Sequence, residues 1–490
     1  MLKDTKKVSS SSSKNAKRHF IAFIPKILLF LGFLFISYLA FYHLGQAPLE
    51  NWDEAWYADV TRNMLQTNQY VVMYWNETLW LDKPPLYMWL SSLVAGIIGL
   101  SEFSVRVPSA ISGITVVMLV AWFSYRNYGI VPAFLAFITL ALNNVFVWRM
   151  RSGNIDLVAT LLIFLIFLAQ VSKAKYKYLL IGILFACLYL TRASLVLYPL
   201  IIFVLCEVFF ERKNFYKKDK EYLKMIGIAF LILAVWLILG TLQAGPQFFQ
   251  FFIFKSDHGV ASIGLHYLSW DYVMYLYYSL QRRFTWMLVI GVLFALRYIK
   301  DPKAFLLLLY GTALVVQLSF TERSNNWYLL PAMPFWSLLI AYGTYHVLKL
   351  FKNNIFLAAL IFIATAFLGY RTFITSIIPT LDSTANISQR ESSIALRNLT
   401  KEGDTVVRLD HLYPTTVYYS ERKVFSSPPG EMGSGGWWVS RADLLKKIQA
   451  HKIRWFIGTN DDIMTFQNES PGVDFKIRKV NESESIMEVL

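Results

Sequence analysis

The amino-acid sequence predicts an α-helical polytopic membrane protein of about 11 to 13 transmembrane helices with a small extracytoplasmic α/β domain at the C-terminus. Three observations carry this prediction: the composition, the length of the apolar segments and a change of pattern near residue 380. Of the 490 residues, 56% are hydrophobic and 16% are charged, whereas average soluble domains carry about 25% charged residues. The mean hydropathy of +0.44 likewise favours a membrane protein over a soluble one.

Most apolar segments approach the length that a spanning helix needs, which is roughly 20 mainly apolar residues. The candidate spans are 24–44, 106–125, 131–149, 156–172, 178–192, 194–210, 225–242, 284–299, 304–320, 328–348 and 355–373. The segment 86–100 is also apolar, but it is shorter than a typical span. We therefore expect 86–100 to be re-entrant or to lie at the membrane interface.

Basic residues between the apolar segments predict the orientation of the chain in the membrane. Cytoplasmic loops carry an excess of Lys and Arg, and this excess occurs in the loops 173–177, 211–224, 297–303 and 349–352. Counting crossings from these loops places four regions and the C-terminus outside the cytoplasm: 45–85, 149–156, 243–283 and 321–328. Residues 1–18 form a basic, Ser-rich tail, which we expect to be disordered and cytoplasmic.

The net charge and the two cysteines argue against several classes of ligand. A net charge of +15 would suggest a nucleic-acid ligand in a soluble protein, but here most of the excess lies in short loops between apolar segments. It therefore predicts contact with anionic membrane lipids and no nucleic-acid partner. The two cysteines, Cys187 and Cys206, both lie in apolar segments, so they form neither a disulfide framework nor a metal-ligand spacing.

The pattern beyond residue 380 is typical of a small α/β domain. Four short segments resemble strands: 406–409, 424–425, 455–458 and 475–477. Ser440 to Ala450 reads as an amphipathic helix with a Ser cap. The predicted organisation is thus a tail at 1–18, a transmembrane catalytic domain at 19–379 and an extracytoplasmic α/β domain at 380–490.

The first outer loop contains the residues that most strongly indicate chemistry. Asp53 and Glu54 form a carboxylate pair beyond the first apolar segment, and carboxylates near the bilayer are costly and usually functional. The alternative is an ordinary solvated loop with a helix cap. Function is favoured by the many Trp and Tyr residues of the loop and by Lys83, which precedes two prolines and is a natural partner for a lipid phosphate.

Two further outer segments carry candidate residues. Asp156 lies on the same side of the membrane as Asp53 by charge counting, and its alternative role is a helix cap. Arg282 or Arg283 could bind a phosphate or could form a juxtamembrane basic pair. Two histidines, His258 and His266, have no third ligand at a spacing that suits zinc. The sequence therefore assigns no cofactor, and it leaves a divalent metal ion open.

Several motifs follow one another in an order that resembles the GT-C glycosyltransferases, in particular protein O-mannosyltransferase-like enzymes and lipid A aminoarabinose transferases. They are Asp53-Glu54-x-x-Tyr57-Ala58, Lys83-Pro84-Pro85-Leu86, Glu102-x-x-x-Arg106-x-Pro108-Ser109, Arg151-x-Gly153-x-x-Asp156, Leu190-Thr191-Arg192 and Trp327-Tyr328-Leu329-Leu330-Pro331. The similarity extends over roughly residues 45–345. Arg192 departs from the family pattern, in which Lys is common at this position.

The resemblance implies an inverting glycosyl transfer outside the cytoplasm. The implied donor is a polyprenyl-phosphate-linked hexose or pentose, and the acceptor is a lipid, a glycan or a protein. Such a transfer needs a base for the acceptor proton and cations for the leaving phosphate. We expect Asp53 to be the base. Glu54 and Asp156 are further candidate catalytic carboxylates: Glu54 either supports Asp53 or binds the acceptor, and Asp156 lies near the acceptor or a metal. The predicted substrate-binding residues are Lys83, Tyr57, Arg151, Arg192, Arg282, Arg283 and Tyr328.

The main alternative function is a transporter or flippase of a lipid-linked sugar. Transporters usually show inverted repeats and charges at the bilayer midplane. Neither is apparent in this sequence, in which the carboxylates lie at helix ends. A scaffold protein whose C-terminal domain binds a ligand is a second alternative, and it leaves the carboxylate-bearing loops unexplained.

Overall fold

The computed structural model describes residues 26–210, 218–255, 270–280, 284–320, 325–381, 385–428, 436–450 and 452–490. Its first half consists of helices and one short hairpin. In order these are α1 (Lys26–Phe41), α2 (Asp53–Thr67), β1 (Met73–Trp75), β2 (Thr78–Trp80), α3 (Leu86–Ile98), α4 (Glu102–Tyr128), α5 (Ile130–Ala141), α6 (Asn144–Met150), α7 (Asp156–Val171), α8 (Lys177–Thr191) and α9 (Leu197–Phe210). A 3₁₀ turn, Ala193–Val196, leads into α9.

The helical part continues to residue 381. Its elements are α10 (Asp219–Ala244), α11 (Pro246–Gln250), α12 (Asp271–Ser279), α13 (Thr285–Arg297), α14 (Pro302–Ser319), a 3₁₀ helix (Asn326–Ala332), α15 (Met333–Leu350), α16 (Ile355–Thr372) and α17 (Ile378–Leu381). Short π-helical turns, Phe251–Lys255 and Phe373–Ile377, follow α11 and α16.

Apolar helices of membrane-spanning character dominate this part, as the composition predicted. In the described ranges, 5 helices are long and apolar enough to cross a membrane, or up to 6 if the bent pair α5–α6 is one span. Five further apolar helices have 10–17 residues: α1, α3, α7, α8 and α13. The chain is thus a multi-pass membrane protein, and the predicted fold class is confirmed.

Three predicted segments differ from the structure. The span predicted at 131–149 is broken into α5 and α6, with a bend of 65°, because the Asn143 side chain caps α6 at the Phe146 N–H. The region 45–85, which the sequence predicted to be an outer loop, is an ordered assembly of α2 and the β1–β2 hairpin. The span predicted at 328–348 begins as the 3₁₀ helix and becomes α-helical only at Met333.

Small residues bring the membrane helices into close contact. A Cβ added to Gly182 of α8 would lie 2.3 Å from the Met225 carbonyl oxygen of α10. Gly291 of α13 is equally confined, because its added Cβ would lie 2.1 Å from the Leu339 carbonyl oxygen of α15. Such contacts replace the hydrophobic driving force that helices lack among lipid tails.

The C-terminal region forms one five-stranded mixed sheet with helices. Its elements are α18 (Ile387–Leu399), β3 (Thr405–Arg408), α19 (Pro414–Ser420), β4 (Lys423–Ser426), α20 (Arg441–Gln449), β5 (Trp455–Thr459), α21 (Asn460–Glu469), β6 (Phe475–Lys479) and β7 (Glu484–Val489). The strand order is β4-β3-β5-β7-β6. β3 pairs in parallel with β4 and β5, whereas β7 pairs antiparallel with β5 and β6. The predicted cap of α20 is present, since the Ser440 hydroxyl accepts the Asp443 N–H at 3.1 Å.

Candidate active site

Asp53 is the first residue of α2, and its carboxylate lies at the centre of a cluster of charged side chains. The side chain is 40% exposed, and its Oδ2 lies 3.6 Å from Nη2 of Arg149. Desolvation of the Asp53 carboxyl by the surrounding protein raises its pKa, and the positive charge of Arg149 opposes this shift. The carboxylate is therefore both accessible and more basic than an ordinary aspartate.

Arg149 links Asp53 to the second carboxylate of the site, Asp156. Two of its nitrogens, Nε and Nη2, lie 3.0 and 2.5 Å from Oδ2 of Asp156. The other oxygen of Asp156 lies 3.1 Å from Nη1 of Arg192. Asp156 begins α7 and Arg192 follows α8, so two helix ends and α6 meet at one point. Asp156, itself 5% exposed, thus orients two arginines.

Aromatic rings fix the positions of both arginines. The guanidinium of Arg149 lies 5.1 Å from the ring centroid of Trp148 and 5.2 Å from that of Trp327. The guanidinium of Arg192 lies 4.7 Å from the ring centroid of Tyr328. Cations over aromatic faces are attracted by the ring quadrupole. The 3₁₀ helix that carries Trp327 and Tyr328 therefore supports the cationic side of the site.

Tyr57 and Lys83 complete the group near Asp53. The ring of Tyr57 packs on Trp80 and Tyr87, and its hydroxyl has no hydrogen-bond partner among the described residues. Burial raises the pKa of Tyr57 well above its usual value, and the charge of Asp53 adds to the shift, so the phenol stays a donor. Lys83 lies 3.3 Å from Asp82, and its charge is among those that lower the pKa of Asp53.

Glu54 occupies an environment different from that of its neighbour Asp53. It is 2% exposed and forms a bidentate ion pair with Arg106, at 2.7 and 3.0 Å. It also accepts the backbone N–H groups of Glu50 and Gly153, at 2.6 and 2.5 Å. Burial would raise the pKa of Glu54, but the Arg106 charge and these hydrogen bonds hold it below its usual range. Its contacts thus join α2 to α4, to the loop before α7 and to the segment that precedes α2.

The remaining predicted residues are placed as follows. Arg151 donates hydrogen bonds to the carbonyl oxygens of Leu39, Tyr42 and Leu381, at 2.7 to 2.9 Å, so it holds the end of α1. Arg282 and Arg283 lie outside the described residues, as do the histidines weighed as zinc ligands. Within the described ranges, no group of three or more His, Cys, Asp or Glu side chains is placed to hold a metal ion.

Sequence reasoning missed the central arginine. Arg149 and Arg151 stand two residues apart in one outer segment, and the resemblance pointed to Arg151. Side chains two residues apart in a helix point in different directions. The sequence predicted one span in place of α5 and α6, so it did not reveal that the direction of α6 turns Arg149 toward Asp53. Glu50 was missed as well; the Trp148 indole donates to it at 2.6 Å.

The C-terminal sheet domain contacts both flanks of the site. On one flank, the Tyr419 hydroxyl accepts the Leu49 N–H at 2.8 Å, and Asn51 bonds to Gln389 and Thr415 at 2.7 and 2.5 Å. On the other flank, the Asn76 amide pairs with the backbone of Val424 in both directions, at 2.8 and 2.9 Å. The segment before Asp53 and the hairpin before Lys83 are therefore both tied to this domain.

The structure resembles a solved crystal structure. Against the crystal structure of ArnT from Cupriavidus metallidurans bound to undecaprenyl phosphate, the TM-score is 0.75 at 12% identity, over 95% of this chain and 98% of that one. The chain thus has the overall fold of this solved structure.

Sequence comparisons agree with this fold. Residues 82–239 match the family model of dolichyl-phosphate-mannose-protein mannosyltransferases. An undecaprenyl phosphate-alpha-4-amino-4-deoxy-L-arabinose arabinosyl transferase of Proteus mirabilis is 29% identical over 250 residues, which are 47% of this chain and 44% of the relative. One of Shewanella sediminis is 24% identical over 66% of this chain and 60% of the relative. The chain thus matches about half the length of these relatives.

Proposed function

We propose that this protein is a membrane glycosyltransferase that moves a sugar from a polyprenyl-phosphate donor to an acceptor outside the cytoplasm, with inversion at the anomeric carbon. One observation carries the proposal: a partly exposed carboxylate, Asp53, lies among three cations, Lys83, Arg149 and Arg192, at the ends of apolar helices. The names of the arabinosyl transferase relatives, which include undecaprenyl phosphate, agree with this class of donor. The transporter alternative finds no support in the comparisons.

The arrangement provides a base for the acceptor. In an inverting transfer, an acceptor oxygen attacks the anomeric carbon from the face opposite the phosphate, and its proton is taken during the attack. Asp53 is the carboxylate that is open to such an acceptor, and its raised pKa favours proton transfer. Glu54 and Asp156 act by position: Glu54 holds the start of α2, and Asp156 orients Arg149 and Arg192.

The cations near Asp53 stabilise the leaving phosphate in the proposed reaction. As the new bond forms, the bond between the anomeric carbon and the phosphate oxygen breaks, and polyprenyl phosphate leaves with the electron pair. Lys83 and Arg192 are placed to stabilise the charge that develops on this phosphate, and preorganised cations are usually a large catalytic contribution. The Tyr57 hydroxyl, buried and unpaired among the described residues, can donate to a donor oxygen.

Orientation and sugar class complete the proposal. The positive loops predict that the N-terminus lies in the cytoplasm and the C-terminal domain outside. In that orientation the site faces the extracytoplasmic half of the membrane. A pentose or a hexose is the proposed transferred group. The acceptor is a lipid, a glycan or a protein. The proposed catalytic step is the same in each case, because Asp53 takes the proton of the acceptor hydroxyl.

Release of polyprenyl phosphate tests the proposal. Purified protein in lipid nanodiscs would be incubated with polyprenyl-phosphate-linked hexose, pentose and amino sugars, together with a membrane extract as acceptor source. We expect one donor to yield polyprenyl phosphate at a rate that depends on the extract. Lys83→Ala should raise the donor KM, whereas Lys349→Ala, an exposed lysine of a predicted cytoplasmic loop, should not. Intact donors in every reaction would contradict the function.

A further inference from the structure

Trp52, the residue before Asp53, combines an exposed side chain with a strained backbone. Its side chain is 51% exposed, although burying a tryptophan is strongly favourable. Its φ of 71° and ψ of −117° lie in a region that glycine adopts freely and that costs other residues conformational energy. Strained residues persist where the surroundings hold them and often mark functional sites.

The surroundings do hold Trp52 in this conformation. The preceding residue, Asn51, is bonded to Gln389 and Thr415 of the C-terminal domain. The backbone carbonyl of Trp52 accepts the Trp56 N–H at 2.9 Å. The fold therefore keeps an indole ring at the surface next to the proposed base, at the cost of backbone strain.

A second aromatic ring, from the C-terminal domain, extends this surface. Tyr413 is half-buried, and its ring centroid lies 6.4 Å from that of Trp52. The two rings meet edge to face, at an angle of 65°. The guanidinium of Arg408 lies 4.7 Å from the centroid of the Tyr413 ring. Trp52 and Tyr413 thus form an aromatic surface that leads from Asp53 to the C-terminal sheet, with one ring face and one ring edge.

A fixed carboxylate lies at the far end of the aromatic surface. Asp410 follows β3 and is 16% exposed; its Oδ1 lies 2.7 Å from Nε of Arg408, which is fully buried. Arg408 is held in turn by Glu484 at 2.6 Å. Asp410 stands at the carboxyl edge of the parallel strands, between β3 and β5, where the strand order reverses. Ligands of α/β sheets bind at such edges.

We propose that Trp52, Tyr413 and Asp410 form an acceptor subsite that binds a saccharide, so that the acceptor is a glycan or the sugar headgroup of a glycolipid. The inference rests on the proposed transferase function. A pyranose ring has an apolar C–H face and a rim of hydroxyl groups. The aromatic surface fits the face, and the Asp410 carboxylate fits a hydroxyl at the rim. The sugar then lies beside Asp53, with another hydroxyl free to lose its proton to Asp53 and attack the anomeric carbon of the donor.

A seryl or threonyl hydroxyl on a peptide fits this surface less well. It presents no flat apolar face to stack on Trp52 and Tyr413. It also leaves the Asp410 carboxylate without a hydroxyl to bind. The two acceptor classes therefore give different products in one experiment.

Two acceptor fractions test the inference with a radiolabelled donor. One is a total glycolipid and glycan extract of host membranes, and the other is the delipidated protein fraction of the same membranes. We expect the wild-type protein to label the saccharide fraction, with a new sugar-to-sugar linkage by tandem mass spectrometry. Label on Ser or Thr of the protein fraction would overturn the inference while leaving the transferase function intact. No release of polyprenyl phosphate would overturn both.

Variants of Trp52 separate acceptor binding from stability. Trp52→Ala and Trp52→Gly should both raise the acceptor KM by about tenfold, with the donor KM changed little. Trp52→Gly relieves the backbone strain, so it should melt at or above the temperature of Trp52→Ala and still bind acceptor poorly. Trp52→Phe should recover part of the lost affinity.

A matched tryptophan provides the control. Trp122 of α4 is 48% exposed, close to the 51% of Trp52, and Trp122→Ala should leave the acceptor KM unchanged. An unchanged acceptor KM in Trp52→Ala and Trp52→Gly, or an equal increase in Trp122→Ala, would overturn the subsite.

Discussion

The protonation of Asp53 is set by two opposed effects within a few ångströms. Burial raises its pKa above the ordinary 3.8, and Arg149, at 3.6 Å, favours the charged form. A base must be ionised to accept a proton, so kcat/KM should fall as the pH drops through this raised pKa. The acid limb of the pH profile therefore reports the environment of one carboxylate.

Arg149→Gln should move that limb in a defined direction. Removing the positive charge removes an effect that lowers the pKa of Asp53, so the limb should shift to higher pH. The measurement is kcat/KM against pH for the two proteins in nanodiscs. A limb that stays in place, or that shifts to lower pH, would contradict the assignment of Asp53 as the group that titrates.

Glu54 should contribute to stability more than to chemistry. Glu54→Gln breaks a buried ion pair with Arg106, and breaking such pairs costs about 3–5 kcal/mol. The exposed pair of Arg397 and Glu421, at 2.7 Å, is the matched control, and Glu421→Gln should cost about 1 kcal/mol or less. Thermal unfolding in detergent measures both. Equal stability of the two variants would refute the structural role of Glu54.

Among the elements, the β1–β2 hairpin links the C-terminal domain to Lys83. Its tip residue Asn76 has a φ of 50° and pairs with the backbone of Val424. Since Lys83 follows the hairpin closely, we expect this contact to position the lysine for the proposed donor phosphate. The broken span α5–α6 has a similar effect on Arg149, because the bend turns the end of α6 toward Asp53.

Asn76→Gly tests the hairpin contact. Glycine adopts a positive φ freely, so the variant removes the two side-chain hydrogen bonds and spares the backbone. We expect the donor KM to rise several-fold while kcat at saturating donor changes less. As a control, Asn68→Gly alters an exposed residue with a φ of 55° and should leave the donor KM unchanged. If Asn76→Gly has the same donor KM as the wild-type protein, the hairpin does not position Lys83.

The elements also show what the sequence can and cannot predict. Apolar length predicted most of the membrane helices, but neither α2 nor the break between α5 and α6. Strand patterns predicted four of the five C-terminal strands; β7 was missed because Glu484, Ser485 and Glu488 interrupt its apolar residues. Asp53, Asp156 and Arg192 were predicted and lie together. The selection of Arg149 over Arg151 depends on the bend at Asn143, which arises from a side-chain cap and a long-range contact with Ser279.

For the whole molecule, the orientation of the chain in the membrane decides where the reaction occurs. The positive loops predict that the C-terminal domain lies outside the cytoplasm. In a background where Cys187 and Cys206 are replaced by Ala, a cysteine at the exposed Lys476 should react with an impermeant maleimide in right-side-out vesicles. A cysteine at Lys300, in a predicted cytoplasmic loop, should react only after lysis. The reverse pattern would place the site on the cytoplasmic side.

The central claim is that Asp53 takes the acceptor proton in a transfer from a polyprenyl-phosphate sugar. Asp53→Asn keeps the shape of the side chain and removes its ability to accept the proton. Turnover of this variant in nanodiscs, on the donor that the wild-type protein uses, is the most direct test. We expect kcat to fall by about two orders of magnitude or more, with donor affinity little changed. Near wild-type turnover by Asp53→Asn would contradict the claim.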